Sequence, residues 1–98
     1  MVAASAAPPG HRRKLVVGNW KMNGTRAGNA ALLASLKAAD TSSCDVAVCP
    51  PAPYLGEVAA LLAGSAIRCG AQDCSSHASG AFTGEVAAAM LAFLCKPI

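Results

Sequence analysis

At 98 residues the chain is one small domain or part of a larger one, and its composition, 54% hydrophobic and 13% charged, excludes intrinsic disorder. The net charge of +3 rests on one basic cluster, Arg12-Arg13-Lys14, with no basic face interleaved with aromatics, so no nucleic-acid partner is expected. No apolar window reaches the roughly 18 residues of a bilayer span, so no membrane partner is expected either.

Residues 1–12 are rich in Ala, Pro and Ser and are expected to form a flexible amino-terminal tail, leaving residues 13–98 as the folded domain. The tail lacks the apolar core of a signal peptide, and secretion is not indicated. Three short apolar runs follow, Leu15–Val17, Val46–Cys49 and Ile67–Ala71, beginning about 31 and then about 21 residues apart. Each is followed by a loop and a helical stretch, which predicts βα repeats. The first two runs are nearly continuous in apolar character, as for parallel strands covered on both faces, whereas Arg68 interrupts the third. The fold class is therefore α/β with parallel strands.

The first helix is predicted over 26–39, with Leu32, Leu33 and Leu36 on one stripe, Lys37 turned outward and Gly28 weakening the first turn. A second begins at Pro53, carries Glu57 near its positive end and finishes near Gly64. A third starts after Thr83 as N-cap, with Glu85 in its first turn, runs through Val86, Met90, Leu91 and Leu94, and is stopped by Pro97. The loop between Gln72 and Gly84 is longer than the usual 2–6 residues of such connections, which points to a task of its own. Alanine-rich helices and only four aromatics predict a thin core and marginal stability.

The five cysteines are odd in number, which disfavours a disulfide framework and points to a reducing cytoplasm. Cys44/Cys49 and Cys69/Cys74 lack the tighter spacing of most zinc knuckles. Cys49 and Cys69 fall in or at the end of apolar runs, where cysteine acts as a small hydrophobe, so no metal site is expected.

Four motifs occur in order: Gly18-Asn19-Trp20-Lys21-Met22-Asn23-Gly24, Cys49-Pro50-Pro51, Gly70-Ala71-Gln72-Asp73, and Gly80-Ala81-Phe82-Thr83-Gly84-Glu85. Together they resemble the triosephosphate isomerase family, bacterial members especially, over about residues 13–92. The resemblance implies the first three βα units of an eight-stranded TIM barrel, that is, an incomplete barrel. It also implies an isomerase acting on triose phosphate, interconverting dihydroxyacetone phosphate and D-glyceraldehyde 3-phosphate through an enediolate, with no cofactor or metal, as a cytoplasmic homodimer.

By this resemblance Lys21 is the active-site lysine, a cation able to attract a phosphodianion and to stabilise enediolate charge. Asn19 is the substrate-contacting asparagine, its amide donating while its own oxygen holds the loop; on its residues alone it is an ordinary turn former beside glycine. Trp20 is packing that fixes the loop. Thr83 is the tip of a loop reaching into the partner subunit, Glu85 takes part in an intersubunit ion pair, and Gln72 lies near both the lysine and the dimer contact. A glutamine satisfying loop backbone groups would look the same. His77 belongs to this interface loop, not to the family's catalytic positions, and reads as a solvated loop histidine; His11 lies in the tail.

The resemblance is expected to fail after Met90-Leu91-Ala92, where Phe93-Leu94-Cys95-Lys96-Pro97-Ile98 replaces a fourth strand. The electrophilic histidine, the glutamate base, the lid and the phosphate-gripping loops then have no counterpart. The sheet is expected to be open, with an exposed edge strand, and the chain alone to be inactive and prone to aggregate.

Overall fold

The computed structural model describes residues 12–95. The expected tail is thus outside the described residues up to and including His11, as is Pro97. Three parallel strands alternate with helices: β1 (Lys14–Asn19), α1 (Arg26–Ala38), β2 (Cys44–Cys49), α2 (Leu55–Leu62), β3 (Arg68–Cys69) and α3 (Ala88–Leu94), with one 3₁₀ turn at Ala52–Tyr54. The sheet order is β1-β2-β3. Its register pairs Val16 with Val46, Gly18 with Val48, and Val48 in turn with Cys69, so β1 and β2 end level at their carboxyl edge and β3 stops one residue short of them.

Thr25 caps α1: its backbone is extended and its hydroxyl oxygen accepts from the Gly28 N–H at 3.0 Å, satisfying one of the first-turn donors. Pro53 sits in the 3₁₀ turn that leads into α2 and does not open the α-helix itself. Glu57 does lie in the first turn of α2, where the helix dipole favours a carboxylate. It accepts from Arg26 Nη2 at 2.9 Å and joins the starts of α1 and α2; the hydrogen bond to Glu57, and after it the opposite charge, push the Arg26 guanidinium above its ordinary value. Lys37 does point outward, and its ammonium donates to the Leu61 carbonyl at 3.0 Å.

The core is one cluster on the helix-facing side of the sheet, made of Leu33, Val48, Leu55, Val58, Leu62, Ile67 and Cys69. Leu33 is buried and Leu36 packs on the cluster, while Leu32 is half exposed at the edge of their stripe. At about 100° per residue Leu36 falls between the other two, with Leu33 toward the sheet and Leu32 at the solvent rim of the same stripe.

Two further expectations are corrected. The first is burial of β1: Leu15, Val16 and Val17 remain 50%, 54% and 46% exposed. β1 pairs only with β2 and forms one margin of the sheet, so its apolar residues are covered on one flank alone. The second concerns the start of α3. Thr83 is not its N-cap and neither Glu85 nor Val86 is in it; the helix begins at Ala88 with Ala87 at the cap. Gly84 adopts φ +87, a left-handed conformation that no helix continues through. The Glu85 N–H closes a turn onto the Phe82 carbonyl, and the Val86 carbonyl accepts from the Ser75 N–H at 2.8 Å. Residues 83–87 are therefore used to tie the loop back onto Ser75 before helix can start.

Burial pushes the Cys69 thiol from its ordinary 9.0 up to about 12, with the Cys95 thiol adding to the shift. Below pH 9 both folded and unfolded chains hold this proton and nothing is lost. Above it the unfolded chain ionises first, so stability falls as pH rises toward 12. Urea denaturation of the native chain and of Cys69→Ala is expected to show the difference between them shrinking by about 2 kcal/mol from pH 8 to pH 10.5.

Candidate functional site

The carboxyl ends of the three strands bring the first three motifs together. β1 ends at Asn19, whose Oδ1 accepts the Lys21 N–H at 2.9 Å, so the asparagine oxygen does hold the loop. The Trp20 N–H donates to the Cys49 carbonyl at 3.1 Å, extending the β1–β2 ladder by one bond, and the Trp20 side chain packs against the core. Asn23 Nδ2 returns to the Trp20 carbonyl at 2.9 Å and closes the turn.

Gln72 spans all three strands. Its Nε2 donates to the Lys21 carbonyl and to the Cys49 carbonyl, both at 2.9 Å, so one amide from the β3 loop pins the β1 and β2 loops. It does so while exposed.

Lys21 is the only non-glycine among the described residues with positive φ, at 53°. Such a conformation costs about 1–3 kcal/mol and persists only where its surroundings impose it. Here they do: Asn19 holds the Lys21 N–H and Gln72 its carbonyl. Beyond the lysine, Gly24 at φ +128 has its carbonyl bonded by Tyr54 Oη at 3.1 Å, and a Cβ there would lie 2.7 Å from Asn29 Oδ1. The contribution of Tyr54 has no sequence signal, since it reaches across 30 residues with no periodic relation to the loop.

The Lys21 side chain is exposed, and among the described residues its ammonium has no carboxylate partner. Asn19 is exposed too, and its Nδ2 donates to no described residue. The site thus presents an unneutralised cation beside a free amide donor on an open edge. A groove of about 490 Å³ adjoins the site at Gln72 and runs between the β3–α3 loop and the start of α2, lined by Pro50, Leu55, Gln72, Glu85, Val86 and Leu91.

Within that loop Ser75 Oγ donates to Glu85 Oε1 at 2.6 Å and accepts the His77 N–H at 3.0 Å. The Glu85 carboxylate has no cation partner among the described residues. The His77 ring stacks on Phe82 with centroids 3.9 Å apart and planes 6° from parallel, so it is an ordered part of the tip and not simply a solvated side chain. Thr83 stands exposed at the tip. Lys21, Asn19 and Gln72 are therefore assembled into one place; Thr83 and Glu85 lie further along the β3–α3 loop, with Glu85 on the groove that Gln72 also lines.

The family model of triosephosphate isomerase matches residues 14–95, three residues past the point where the motifs run out at Ala92. The chain is 62% identical over 87 residues to the triosephosphate isomerase of Herminiimonas arsenicoxydans, covering 87% of this chain and 35% of that one. It is 61% identical over 88 residues to that of Bordetella pertussis, covering 88% and 36%. The counterpart from Dechloromonas aromatica is 63% identical over 81 residues, 82% and 32%. The chain thus spans about a third of the length of the curated relatives it matches.

Proposed function

The chain belongs to the triosephosphate isomerase family, and from that premise we propose that it is the amino-terminal portion of an enzyme interconverting dihydroxyacetone phosphate and D-glyceraldehyde 3-phosphate in the cytoplasm. Lys21 attracts the substrate phosphodianion and stabilises negative charge on the enediolate; Asn19 Nδ2 donates to the carbonyl oxygen as it becomes the enediolate oxygen. The observation that carries this reading is Lys21 itself, a strained residue held by two hydrogen bonds with its ammonium unpaired among the described residues. A solvated surface lysine has no need of a left-handed backbone.

The complete enzyme is a homodimer with no cofactor and no nucleic-acid or membrane partner. Thr83 and Glu85 reach the partner subunit and Gln72 braces the lysine loop from below. The Glu85 carboxylate, with no cation partner among the described residues, and the exposed Thr83 support this role. The barrel portion is assigned to residues 13–98, of which 96–98 lie outside the described residues. The 98 residues hold no counterpart of the glutamate base or the electrophilic histidine, and a general base alone is worth about 10²–10⁴-fold. The isolated chain is therefore inactive.

The test is a chimera in which residues 14–95 replace the matching third of the Herminiimonas arsenicoxydans relative. Saturable isomerisation by the chimera and none by the 98-residue chain is the expected result. A chimera that folds and dimerises as the relative does but shows no turnover, or turnover by the isolated chain, would overturn the proposal.

A second reading is a noncatalytic fragment that pairs with a full-length isomerase or a complementary fragment. The bare apolar residues of β1, with Met90 and Phe93 exposed on α3, favour it. Co-elution with the full-length relative on size exclusion would support it, and separate elution would exclude it.

A further inference from the structure

The loop that carries Lys21 is secured at both ends. At its start the Trp20 N–H is held by the Cys49 carbonyl, the Lys21 N–H by Asn19 and the Lys21 carbonyl by Gln72. Its far end is Gly24, where side chains from two other places in the fold meet. Tyr54 precedes α2, packs against the core cluster, and donates its Oη hydrogen to the Gly24 carbonyl at 3.1 Å. Asn29, in α1 and 3% exposed, abuts the same glycine: a Cβ there would stand 2.7 Å from its Oδ1 and 3.3 Å from the Tyr54 ring. Asn29 Nδ2 is buried without a hydrogen-bond partner among the described residues, so this side chain acts on the loop by contact and not by bonding. Asn23 Nδ2 bonds to the Trp20 carbonyl, inside the loop, and shapes the turn without anchoring it. The Tyr54 hydroxyl is thus the bond that ties the far end of the loop to α2. With the start alone held, residues 22–24 could relax and let Lys21 leave its left-handed conformation, which persists only where its surroundings impose it.

We propose that Tyr54 is a positioning residue for Lys21: its hydroxyl, with Asn29 packed beside Gly24, holds the far end of the loop so that the lysine keeps its left-handed backbone. This role rests on the reading of Lys21 as the group that meets the triose phosphate, and Tyr54 acts only through it. Tyr54→Phe removes one O–H and leaves the ring on the core, so the fold is preserved. The start of α2 has a second tie to α1, the Glu57–Arg26 pair at 2.9 Å, but that pair joins helix to helix and does not reach the loop. Glu57→Gln is therefore the control for a general loosening of the two helices.

The experiment measures turnover in the chimera that carries residues 14–95, and amide hydrogen exchange by NMR in the 98-residue chain. Tyr54→Phe is expected to lower kcat/KM of the chimera by about 3–10-fold, the worth of one neutral hydrogen bond. It should cost nothing further once Lys21→Ala is present, because a positioning residue acts through the group it positions. In the 98-residue chain the same substitution should speed exchange of the Lys21 amide, bonded to Asn19 Oδ1, by about 3–10-fold. Exchange of the Gly70 amide, bonded to the Val48 carbonyl at the end of the sheet, should stay as it is. Glu57→Gln should change neither turnover nor exchange at Lys21. Native kcat/KM in Tyr54→Phe, equal losses with and without Lys21, or an effect of Glu57→Gln as large, would overturn the proposal. A chimera that folds but shows no turnover before any substitution would overturn the isomerase reading instead, and exchange alone would then decide the positioning. Faster exchange at Lys21 with Gly70 unchanged would uphold it; no change at Lys21, or the same change at both, would sink it.

Discussion

Lys21→Ala in the completed enzyme is expected to lower kcat/KM by about 10²–10³-fold, the range found when one preorganised group facing developing charge is removed. Both kinetic constants suffer, because the ammonium acts on the phosphodianion in the ground state and on the enediolate in the transition state. Lys21→Arg retains the charge but spreads it over a planar fork that cannot stand in for a compact ammonium, so it restores only part of the loss. The backbone adds an independent signature. Residue 21 sits at φ 53, where an L side chain costs about 1–2 kcal/mol and glycine costs little. Lys21→Gly is therefore expected to be as inactive as Lys21→Ala while denaturing at higher urea. Equal stability of the two variants would mean that the loop relaxes when the lysine is removed, and that Asn19 and Gln72 do not impose its conformation.

Much of this site is legible in the chain because it is local. Gly18-Asn19-Trp20-Lys21 follows an apolar run, and the Asn19 oxygen holding the Lys21 N–H is a contact across two residues that turn chemistry anticipates. Gln72 was readable only as one of two alternatives. Its bonds to Lys21 and Cys49 span 51 and 23 residues, a separation at which composition and periodicity carry no information. Tyr54 on Gly24 and Ser75 on Glu85 were invisible for the same reason. The start of α3 misleads in a different way: Thr83 followed by an acid looks like a cap, but the Ser75 N–H takes the Val86 carbonyl and Gly84 turns left-handed. Tertiary hydrogen bonding overrides a local signal. The bare face of β1 was hidden because a continuous apolar run states what a strand is suited to contact, not which neighbours these residues supply.

Leu33→Ala is expected to destabilise the chain by about 2–5 kcal/mol, enough to unfold it. Leu33 is 1% exposed and is the residue by which α1 enters the cluster formed with Val48, Leu55 and Val58. Deleting its side chain leaves a cavity that strands on one side and α2 on the other restrict from collapsing. Leu32→Ala, one residue earlier and 52% exposed, is the control and should cost about 0.5 kcal/mol or less. The margin against which the larger loss is set is narrow. Small domains bury a low fraction of their surface, and here one strand of three leaves its apolar residues half bare. In urea titrations followed by the single tryptophan, Trp20, the Leu33→Ala midpoint is expected to fall to zero denaturant or close to it. Trp20 also reports on the lysine loop, since its N–H is bonded to the Cys49 carbonyl at the end of β2. If the loop and the core are one cooperative unit, the indole signal and the helical circular dichroism will be lost together. An indole transition that precedes the helical one would show instead that Gln72, Asn19 and Cys49 hold the lysine against a part of the sheet that melts on its own.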